Sequence, residues 1–189
     1  MVEIAEGRAD ALAGLAASSR RVAAADMTSL PAAARFVFRG REGAIEPAGR
    51  AFGVGLPRAA CRFAEADGRL AAWLGPDEWL LVAPGADAGP IAAAIEAETA
   101  AVPHSLVDVG QRQVAIEVSG PAAATVINAG CPLDLSPEAF PAGMAARTVL
   151  AKAEIVLFRT APETFRIEVW RSFAAYVWQS LDEARREFV

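Results

Sequence analysis

The chain is poor in the residue types that carry most enzyme chemistry. Its 189 residues include one histidine, His104, and two cysteines, Cys61 and Cys131. A metal site rich in histidine is thereby excluded. The two thiols stand far apart in the sequence and form no disulfide framework, so we expect a reduced, cytoplasmic environment. The sequence also shows no nucleophile with a neighbouring base and no phosphate-binding loop.

Long apolar runs and an excess of positive charge are absent too. No apolar run reaches the ~18 residues of a membrane-spanning helix. Residues 1–6 carry acids where a signal peptide would have a basic start and an apolar core. The formal net charge of −5 opposes binding to nucleic acid or to an anionic membrane surface. We therefore expect neither nucleic acid nor a membrane among the partners.

Apolar side chains, in contrast, are abundant. The hydrophobic fraction is 54%, whereas soluble domains have roughly 45–50%. Alanine is very frequent and Lys152 is the only lysine, so a compositional bias explains part of the excess. The other interpretation is an apolar surface that another subunit covers. Both interpretations stay open at this point.

Turn residues and apolar periodicity divide the chain into repeated strand–strand–helix units. Such hairpins followed by helices predict an α+β fold, with a mixed or antiparallel sheet and helices on one face. We expect one domain over residues 35–189 and a peripheral N-terminal segment over residues 1–34, either frayed or laid along a partner. The predicted strands are residues 35–39, 69–74, 79–83, 105–109, 112–119, 148–150, 154–159 and 164–170, and the predicted helices are 9–18, 88–100, 121–130 and one that closes the chain.

The predicted strand 164–170 shows the clearest alternation. Phe165, Ile167 and Val169 point to one face and the intervening residues, among them Glu168 and Trp170, to the other. Only one face of this strand is fully committed to the core, as an α+β sheet requires. The preceding pair, 105–109 and 112–119, is expected to form a hairpin across Gly110 and Gln111.

The closing helix is predicted from a single apolar stripe. Ser172 is a good residue for its N-terminal cap. Tyr176 and Trp178 fall at opposite edges of the stripe. The stripe itself comprises Phe173, Val177, Leu181, Ala184 and Phe188.

The reactive side chains have structural and functional interpretations side by side. His104 opens a strand without a visible partner, and Cys131 follows the end of a helix, where the local field disfavours a thiolate. The first two glycines of a dinucleotide fingerprint occur at Gly53 and Gly55, but no strand–turn–helix unit surrounds them. For all of these, as for Cys61, the structural interpretation is favoured.

The candidate acids are two pairs. Asp77 and Glu78 are adjacent in a predicted turn and would face opposite ways, so they form no obvious catalytic pair. Asp108 and Asp134 each lie among apolar residues. A carboxylate in such a position caps a backbone or binds a ligand amine, and both alternatives stay open. We predict no catalytic, cofactor-binding or metal-binding residue.

The four tryptophans suggest a partner surface. Aromatic side chains are enriched at the centres of protein interfaces. We assign Trp73 and Trp79 to the core, the usual place of buried tryptophans. The predicted partner interface comprises Trp170, Arg171, Tyr176 and Trp178.

Three motifs resemble a known family. They are WLGPDEWLL at residues 73–81, GCPLDL at residues 130–135, and the stretch from Phe165 to Tyr176. Together and in this order they are similar to the gamma subunit of heterotetrameric sarcosine oxidase, over roughly residues 50–188. The resemblance implies a fold like the folate-binding domain of aminomethyltransferases.

The resemblance also implies a role as an accessory, noncatalytic subunit. The expected assembly oxidatively demethylates sarcosine to glycine. Its FAD, FMN, NAD, zinc and tetrahydrofolate would be held by other subunits, and none by this chain. The expected partners are the alpha, beta and delta subunits, mainly alpha. The alternatives are a stand-alone folate-binding or aminomethyltransferase-like protein, with Asp108 or Asp134 holding the pterin, and a self-associating scaffold.

Overall fold

The computed structural model describes residues 11–85 and 87–188. Two five-stranded sheets pack face to face, and helices cover the outer face of each sheet. Every strand pairing in the two sheets is antiparallel. The predicted α+β class is confirmed, although the sequence did not indicate that the strands would divide between two sheets.

Most elements follow one another closely, and the longest connections between them are residues 53–62 and 129–144. Within the described residues, none of the helices combines the length and the apolar character needed to cross a bilayer. Short 3₁₀ turns lie at Arg171–Phe173 and Arg185–Phe188. In chain order the elements are α1 (Ala13–Ser18), β1 (Asp26–Ser29), β2 (Ala33–Gly40), α2 (Glu42–Phe52), β3 (Phe63–Ala66), β4 (Arg69–Gly75), β5 (Glu78–Pro84), α3 (Gly89–Thr99), β6 (His104–Asp108), β7 (Gln113–Ser119), α4 (Ala123–Asn128), β8 (Ala145–Leu150), β9 (Ala153–Ala161), β10 (Thr164–Trp170) and α5 (Ala174–Ala184).

The first sheet has the strand order β1-β7-β10-β9-β8. On β10, Phe165, Ile167 and Val169 are fully buried and face α4 and α5, as the alternation predicted. Each such side chain contributes about 1.5–3 kcal/mol when buried. The other face of this sheet meets the second sheet, through Val156 and Phe158. Both faces of the first sheet are therefore covered.

The second sheet has the strand order β3-β4-β5-β2-β6. Its outer face packs Phe36, Phe38 and Trp79 against α2 and α3. Its inner face places Leu80 and Val82 against the first sheet. The four layers are thus helix, sheet, sheet and helix, and the two sheets share a central core.

The predicted hairpin between β6 and β7 is wrong. Strand β6 pairs with β2 in the second sheet, whereas β7 lies between β1 and β10 in the first. The turn after Val109, whose N–H donates to the Arg35 carbonyl at 2.8 Å, carries the chain from one sheet to the other. The burial patterns explain the separation. Strand β7 is apolar enough on both faces for a central position, while β6 is half exposed and suits an edge.

Helix α2 was missed from the sequence. Pro47 lies inside it and two glycines interrupt its pattern, all of which lower helix propensity. The helix forms because Ile45, Ala48 and Phe52 pack onto the second sheet. Gly53 ends it with a left-handed φ of 81°, so this glycine is a helix cap, not part of a dinucleotide loop.

Part of the predicted N-terminal segment packs on the first sheet. Strand β1 pairs with β7, and Leu12 is fully buried against the helical layer. The guanidinium of Arg185, a buried residue, donates to the Ala25 carbonyl at 3.2 Å and to the Arg20 carbonyl at 2.8 Å. The predicted helix over 9–18 is observed as α1, with residues 9 and 10 outside the described residues.

The closing helix begins later than predicted. Residues 171–173 form a 3₁₀ turn, the α-helix starts at Ala174, and Ser172 makes no side-chain cap. The buried face of α5 also differs from the predicted stripe. Val177 and Leu181 are buried as predicted, but Phe173 is 42% exposed and Trp178 is only 1% exposed.

Candidate functional site

A buried ion cluster joins the two sheets. Arg35 on β2 and Glu168 on β10 are 2% and 0% exposed. Arg35 Nε donates to Glu168 Oε2 at 2.6 Å, and Arg166 donates to Glu168 Oε1 through Nε at 2.9 Å and Nη2 at 2.6 Å. The strand face that reads as polar in the sequence is therefore the inner face of the sandwich.

The Glu168 carboxylate is fully engaged by these donors. A second Arg35 nitrogen, Nη2, reaches Oε1 at 3.5 Å, and Arg35 Nη1 donates to the Ala33 carbonyl at 3.2 Å. Buried charges persist only when they are paired and hydrogen-bonded, which both groups are. This carboxylate is thus a bridge between the two sheets.

A cavity of about 140 Å³ lies next to this cluster, between the sheets. Glu168, Gln113 and Leu80 line it, together with Trp170 and Arg112. Gln113 is 7% exposed, and its Oε1 atom has no hydrogen-bond partner among the residues that the structure describes. The Arg112 guanidinium lies over the Trp170 ring, 4.8 Å from the ring centroid. The same glutamine also lines a second cavity of about 250 Å³.

Three exposed aromatic residues, Trp170, Phe173 and Tyr176, lie close together in the chain where β10 leads into α5, and we call them the aromatic patch. Their exposed fractions are 40%, 42% and 38%. Arg171 is also exposed, and its backbone N–H donates to the Arg112 carbonyl at 2.7 Å. Three of the four residues predicted for a partner interface are therefore at the surface and close in the chain.

The fourth predicted interface residue, Trp178, lies in the core. It packs with Val177 and Leu181 between α5 and the first sheet. Residues 174, 177, 178 and 181 have the i, i+3, i+4, i+7 spacing of one helix face, and all four are buried. Phe173, which the sequence assigned to the buried stripe, takes the exposed position instead.

The candidate acids lie apart and serve their own loops. Asp108 Oδ1 accepts the N–H of Gly110 at 2.8 Å, and Asp134 Oδ1 accepts the N–H of Ser136 at 2.8 Å. The hydrogen bond from the Ser136 backbone lowers the pKa of Asp134. Each is an exposed residue that caps a turn, and the fold does not bring the two together.

The adjacent acids Asp77 and Glu78 are surface ion-pair partners. Arg39 lies 3.6 Å from Asp77 and 3.4 Å from Glu78, and Arg147 on β8 reaches Glu78 at 2.5 Å. The last contact crosses from one sheet to the other. Among the described residues, no group of three or more histidine, cysteine or acidic side chains could hold a metal ion.

The two cysteines differ in their surroundings. Cys131 is 4% exposed, and its Sγ lies 3.9 Å from Thr148 Oγ1. Cys61 is partly exposed and has a left-handed φ of 56°. The two are separate free thiols.

His104 has partners that the sequence did not show. Its Nδ1 lies 2.9 Å from the Val102 carbonyl, and its Nε2 lies 2.9 Å from Glu96 Oε2 and 3.0 Å from Thr99 Oγ1. The Val102 carbonyl raises the pKa of His104 and Glu96 adds to this, while burial acts in the opposite direction. The ring thereby links α3, through Glu96 and Thr99, to the start of β6.

We expect the stability of the chain to fall as the pH rises through this histidine's folded pKa. A pKa raised above its ordinary value of 6.5 gives stabilisation that is complete below that pH and is lost above the folded pKa. Urea unfolding at a series of pH values measures the slope. The His104→Asn variant should remove that part of the slope, and an unchanged slope would show that the tie contributes nothing.

The chain has the aminomethyltransferase type of fold. Its interior carboxylate, Glu168, belongs to an ion cluster, and its aromatic patch lies on the surface. Aminomethyltransferase T of the glycine cleavage system from Bartonella henselae superposes with a TM-score of 0.64 at 15% identity, over 88% of this chain and 47% of that chain. At this identity the likeness shows the fold alone. The model of the family described as sarcosine oxidase, gamma subunit, matches residues 42–187. The chain belongs to this family, as its motifs indicated.

Individual relatives agree with this assignment. The sarcosine oxidase subunit gamma of Corynebacterium sp. (strain P-1) is 35% identical over 139 residues, which are 73% of this chain and 68% of that protein. The subunit of the same description from Arthrobacter sp. is 36% identical over 141 residues, with the same coverage. A chain of the heterotetrameric sarcosine oxidase from Corynebacterium sp. U-96, in complex with pyrrole 2-carboxylate, superposes with a TM-score of 0.88 at 29% identity, over 96% of both chains.

Proposed function

We propose that this chain is an accessory, noncatalytic subunit of a heterotetrameric sarcosine oxidase, which demethylates sarcosine oxidatively to glycine. The observation that carries the proposal is the superposition with a chain of such an enzyme over 96% of both chains, at a TM-score of 0.88. A match of this extent includes all four layers. The chain's place is therefore in a complex with partner subunits.

The aromatic patch is the surface that we propose for docking, mainly onto the alpha subunit, with beta and delta completing the assembly. Trp170, Phe173 and Tyr176 keep large apolar areas exposed although the chain has a full core. Exposed aromatics with a nearby arginine match the composition of interface centres. Arg171 lies beside them in the sequence and supplies the cation.

The cofactors FAD, FMN, NAD, zinc and tetrahydrofolate are, in this proposal, held by the other subunits. The interior carboxylate of this chain is occupied by two guanidinium groups. Asp108 and Asp134, the acids suggested for a pterin, each accept a backbone N–H of their own loop. A cytoplasmic location is part of the same proposal.

The first test replaces the exposed tryptophan. We expect Trp170→Ala to weaken association with the purified partner subunits by at least about 2 kcal/mol, or roughly 30-fold, because central aromatics dominate interface energies. Surface plasmon resonance with the immobilised partners measures the change. The control is Val107→Ala, which removes an exposed apolar side chain, 51% exposed, from the edge of the other sheet.

An unchanged affinity for Trp170→Ala, with the fold intact by circular dichroism, would exclude the patch as the docking surface. An equal loss of affinity for Val107→Ala would show that the effect is not specific to the aromatic patch.

The second test uses the isolated chain. We expect it to carry no flavin absorbance, to show no oxidase activity and to bind tetrahydrofolate no more tightly than millimolar. Absorption spectra, a peroxide assay and calorimetry measure these properties. Micromolar tetrahydrofolate binding would favour the stand-alone folate-binding alternative, and a defined homo-oligomer in light scattering would favour a scaffold.

A further inference from the structure

Arg112, the residue before β7, lies against the aromatic patch. Its guanidinium carbon is 4.8 Å from the centroid of the Trp170 ring. The β-ladder keeps the two residues together, because Gln113 is the partner of Trp170 in the pairing of β7 with β10. The Arg171 N–H also donates to the Arg112 carbonyl at 2.7 Å. Arg112 is exposed and Trp170 is 40% exposed, so the stacked arginine is part of the same surface as the patch.

The charge of Arg112 is not compensated within the described part of the chain. Its guanidinium forms no ion pair with any acid of the described residues. Glu154 and Glu168 line the same cavity as Arg112, but both have other partners. Glu168 is paired with Arg35, and Glu154 lies 3.9 Å from Arg147. Arg112 therefore presents a positive charge to the solvent.

The two segments that form this surface contain no acid. Residues 109–116 and 169–181 include Arg112 and Arg171 but no aspartate or glutamate, although the whole chain has 23 acidic and 18 basic residues. The surface is thus locally positive on a chain whose formal net charge is −5. Because surfaces that associate specifically have complementary charges, a negative group on the partner matches this region.

The stacked geometry suits a carboxylate in particular. A guanidinium has five N–H donors in one plane and binds a carboxylate through two parallel hydrogen bonds. Stacking on an indole face fixes that plane and leaves its edge available to a ligand. A side chain that is already held in place also loses less rotamer freedom on binding.

We propose that Arg112, held on Trp170, binds an aspartate or glutamate side chain of a partner subunit beside the aromatic patch. This assignment rests on the proposed function, since the partner subunit supplies the carboxylate. Phosphates of nucleic acid are the poorer match. Binding to nucleic acid depends on many phosphate contacts at once, whereas the two segments supply two guanidinium groups on a net acidic chain.

Surface plasmon resonance of the full chain with the purified partner subunits tests the assignment. We expect Arg112→Gln to weaken the association at least about tenfold at low ionic strength, and Arg112→Glu about hundredfold or more, because it places two negative groups together. In both variants the slope of log Kd against the logarithm of salt concentration should fall, because an ion pair screened by salt has been removed. Loss of packing on the indole alone would leave that slope unchanged.

Two further variants complete the experiment. Arg112→Lys keeps the charge and loses the planar fork, so its affinity should lie between those of the unmodified chain and Arg112→Gln. Arg41→Gln is the matched control, an exposed arginine before α2 whose loss should leave the affinity and the slope unchanged. Circular dichroism checks that each variant is folded.

Comparison with Trp170→Ala separates failure of this assignment from failure of the proposed function. If Trp170→Ala weakens binding while Arg112→Gln and Arg112→Glu keep the affinity and the slope, the patch docks without a carboxylate on Arg112, and only this assignment is wrong. If the unmodified chain does not bind the partner subunits, the proposed function fails and the assignment with it.

Two other occupants of the surface have their own signatures. Binding of single-stranded DNA, measured by fluorescence anisotropy and lost in Arg112→Glu, would assign the surface to phosphates and overturn the assignment. A homo-oligomer in light scattering that Arg112→Glu dissociates would make a second copy of the chain the occupant, with the same consequence.

Discussion

Glu168→Ala should lower the free energy of unfolding by about 3–5 kcal/mol, the typical effect of removing one partner from a buried charge pair. The substitution leaves Arg35, which is 2% exposed, without its carboxylate in the interior between the sheets. Arg166 also loses its partner, but its side chain is 16% exposed and water can compensate in part. Urea unfolding followed by circular dichroism measures the change.

The matched control removes both charges of the pair. Arg35→Met combined with Glu168→Leu replaces the ion pair by apolar side chains, and such replacements are often neutral or stabilising. We expect the double variant to be at least about 2 kcal/mol more stable than Glu168→Ala. If Glu168→Ala alone is as stable as the unmodified chain, the cluster does not hold the sheets together.

The contrast between these variants shows what the ion cluster contributes to the fold. The cluster costs desolvation of two or more charges, and an apolar core would avoid that cost. The ion pair contributes directional hydrogen bonds. Because the Glu168 carboxylate accepts from four nitrogens, these bonds restrict the position of one sheet relative to the other. We therefore regard it as the element that fixes β2 against β10.

Local patterns made much of the fold predictable. Strand β10 was identified, with the residues that face the helices, because Phe165, Ile167 and Val169 alternate with more polar residues. The strands β4 and β5 were identified because turn residues separate two apolar runs. Helix α2 was missed because Pro47 has a low propensity for the interior of a helix. Packing of the helix onto the second sheet outweighs this propensity.

The division into two sheets was beyond local patterns. Glu168 and Arg166 read as a solvated face, yet Glu168 pairs with Arg35, 133 residues away in the sequence. Contacts of such separation leave no periodic signal in one chain. The unpaired Gln113 oxygen could not be predicted either, because the cavity beside Gln113 is lined by residues from both sheets.

The interface prediction shows how a small error of phase changes a site. Trp170 and Tyr176 are at the surface as predicted, whereas the buried face of α5 is turned toward Ala174 and Trp178, so that Trp178 faces inward. Neighbouring residues of a helix differ by about 100°, so a buried face that is broader or slightly turned toward one edge decides whether a residue at that edge is core or surface. That Trp170, Arg171 and Tyr176 contact a partner stays a prediction.

Trp178→Ala is expected to lower the free energy of unfolding by about 3–5 kcal/mol, because truncation of a large buried aromatic leaves a cavity. Trp178 is 1% exposed and packs within the core between α5 and the first sheet. The matched control is Tyr176→Ala on the same helix, 38% exposed, which should change stability by no more than about 0.5 kcal/mol. Urea unfolding of both variants measures the two effects.

The same pair of variants separates core from surface in the assembly. Tyr176→Ala should weaken binding to the partner subunits while the chain stays folded, since central aromatics supply interface energy. Trp178→Ala should reduce binding only as far as it unfolds the chain, so binding and stability should fall together across a temperature series. A stable Trp178→Ala chain that fails to bind would place this tryptophan at the interface and contradict its assignment to the core.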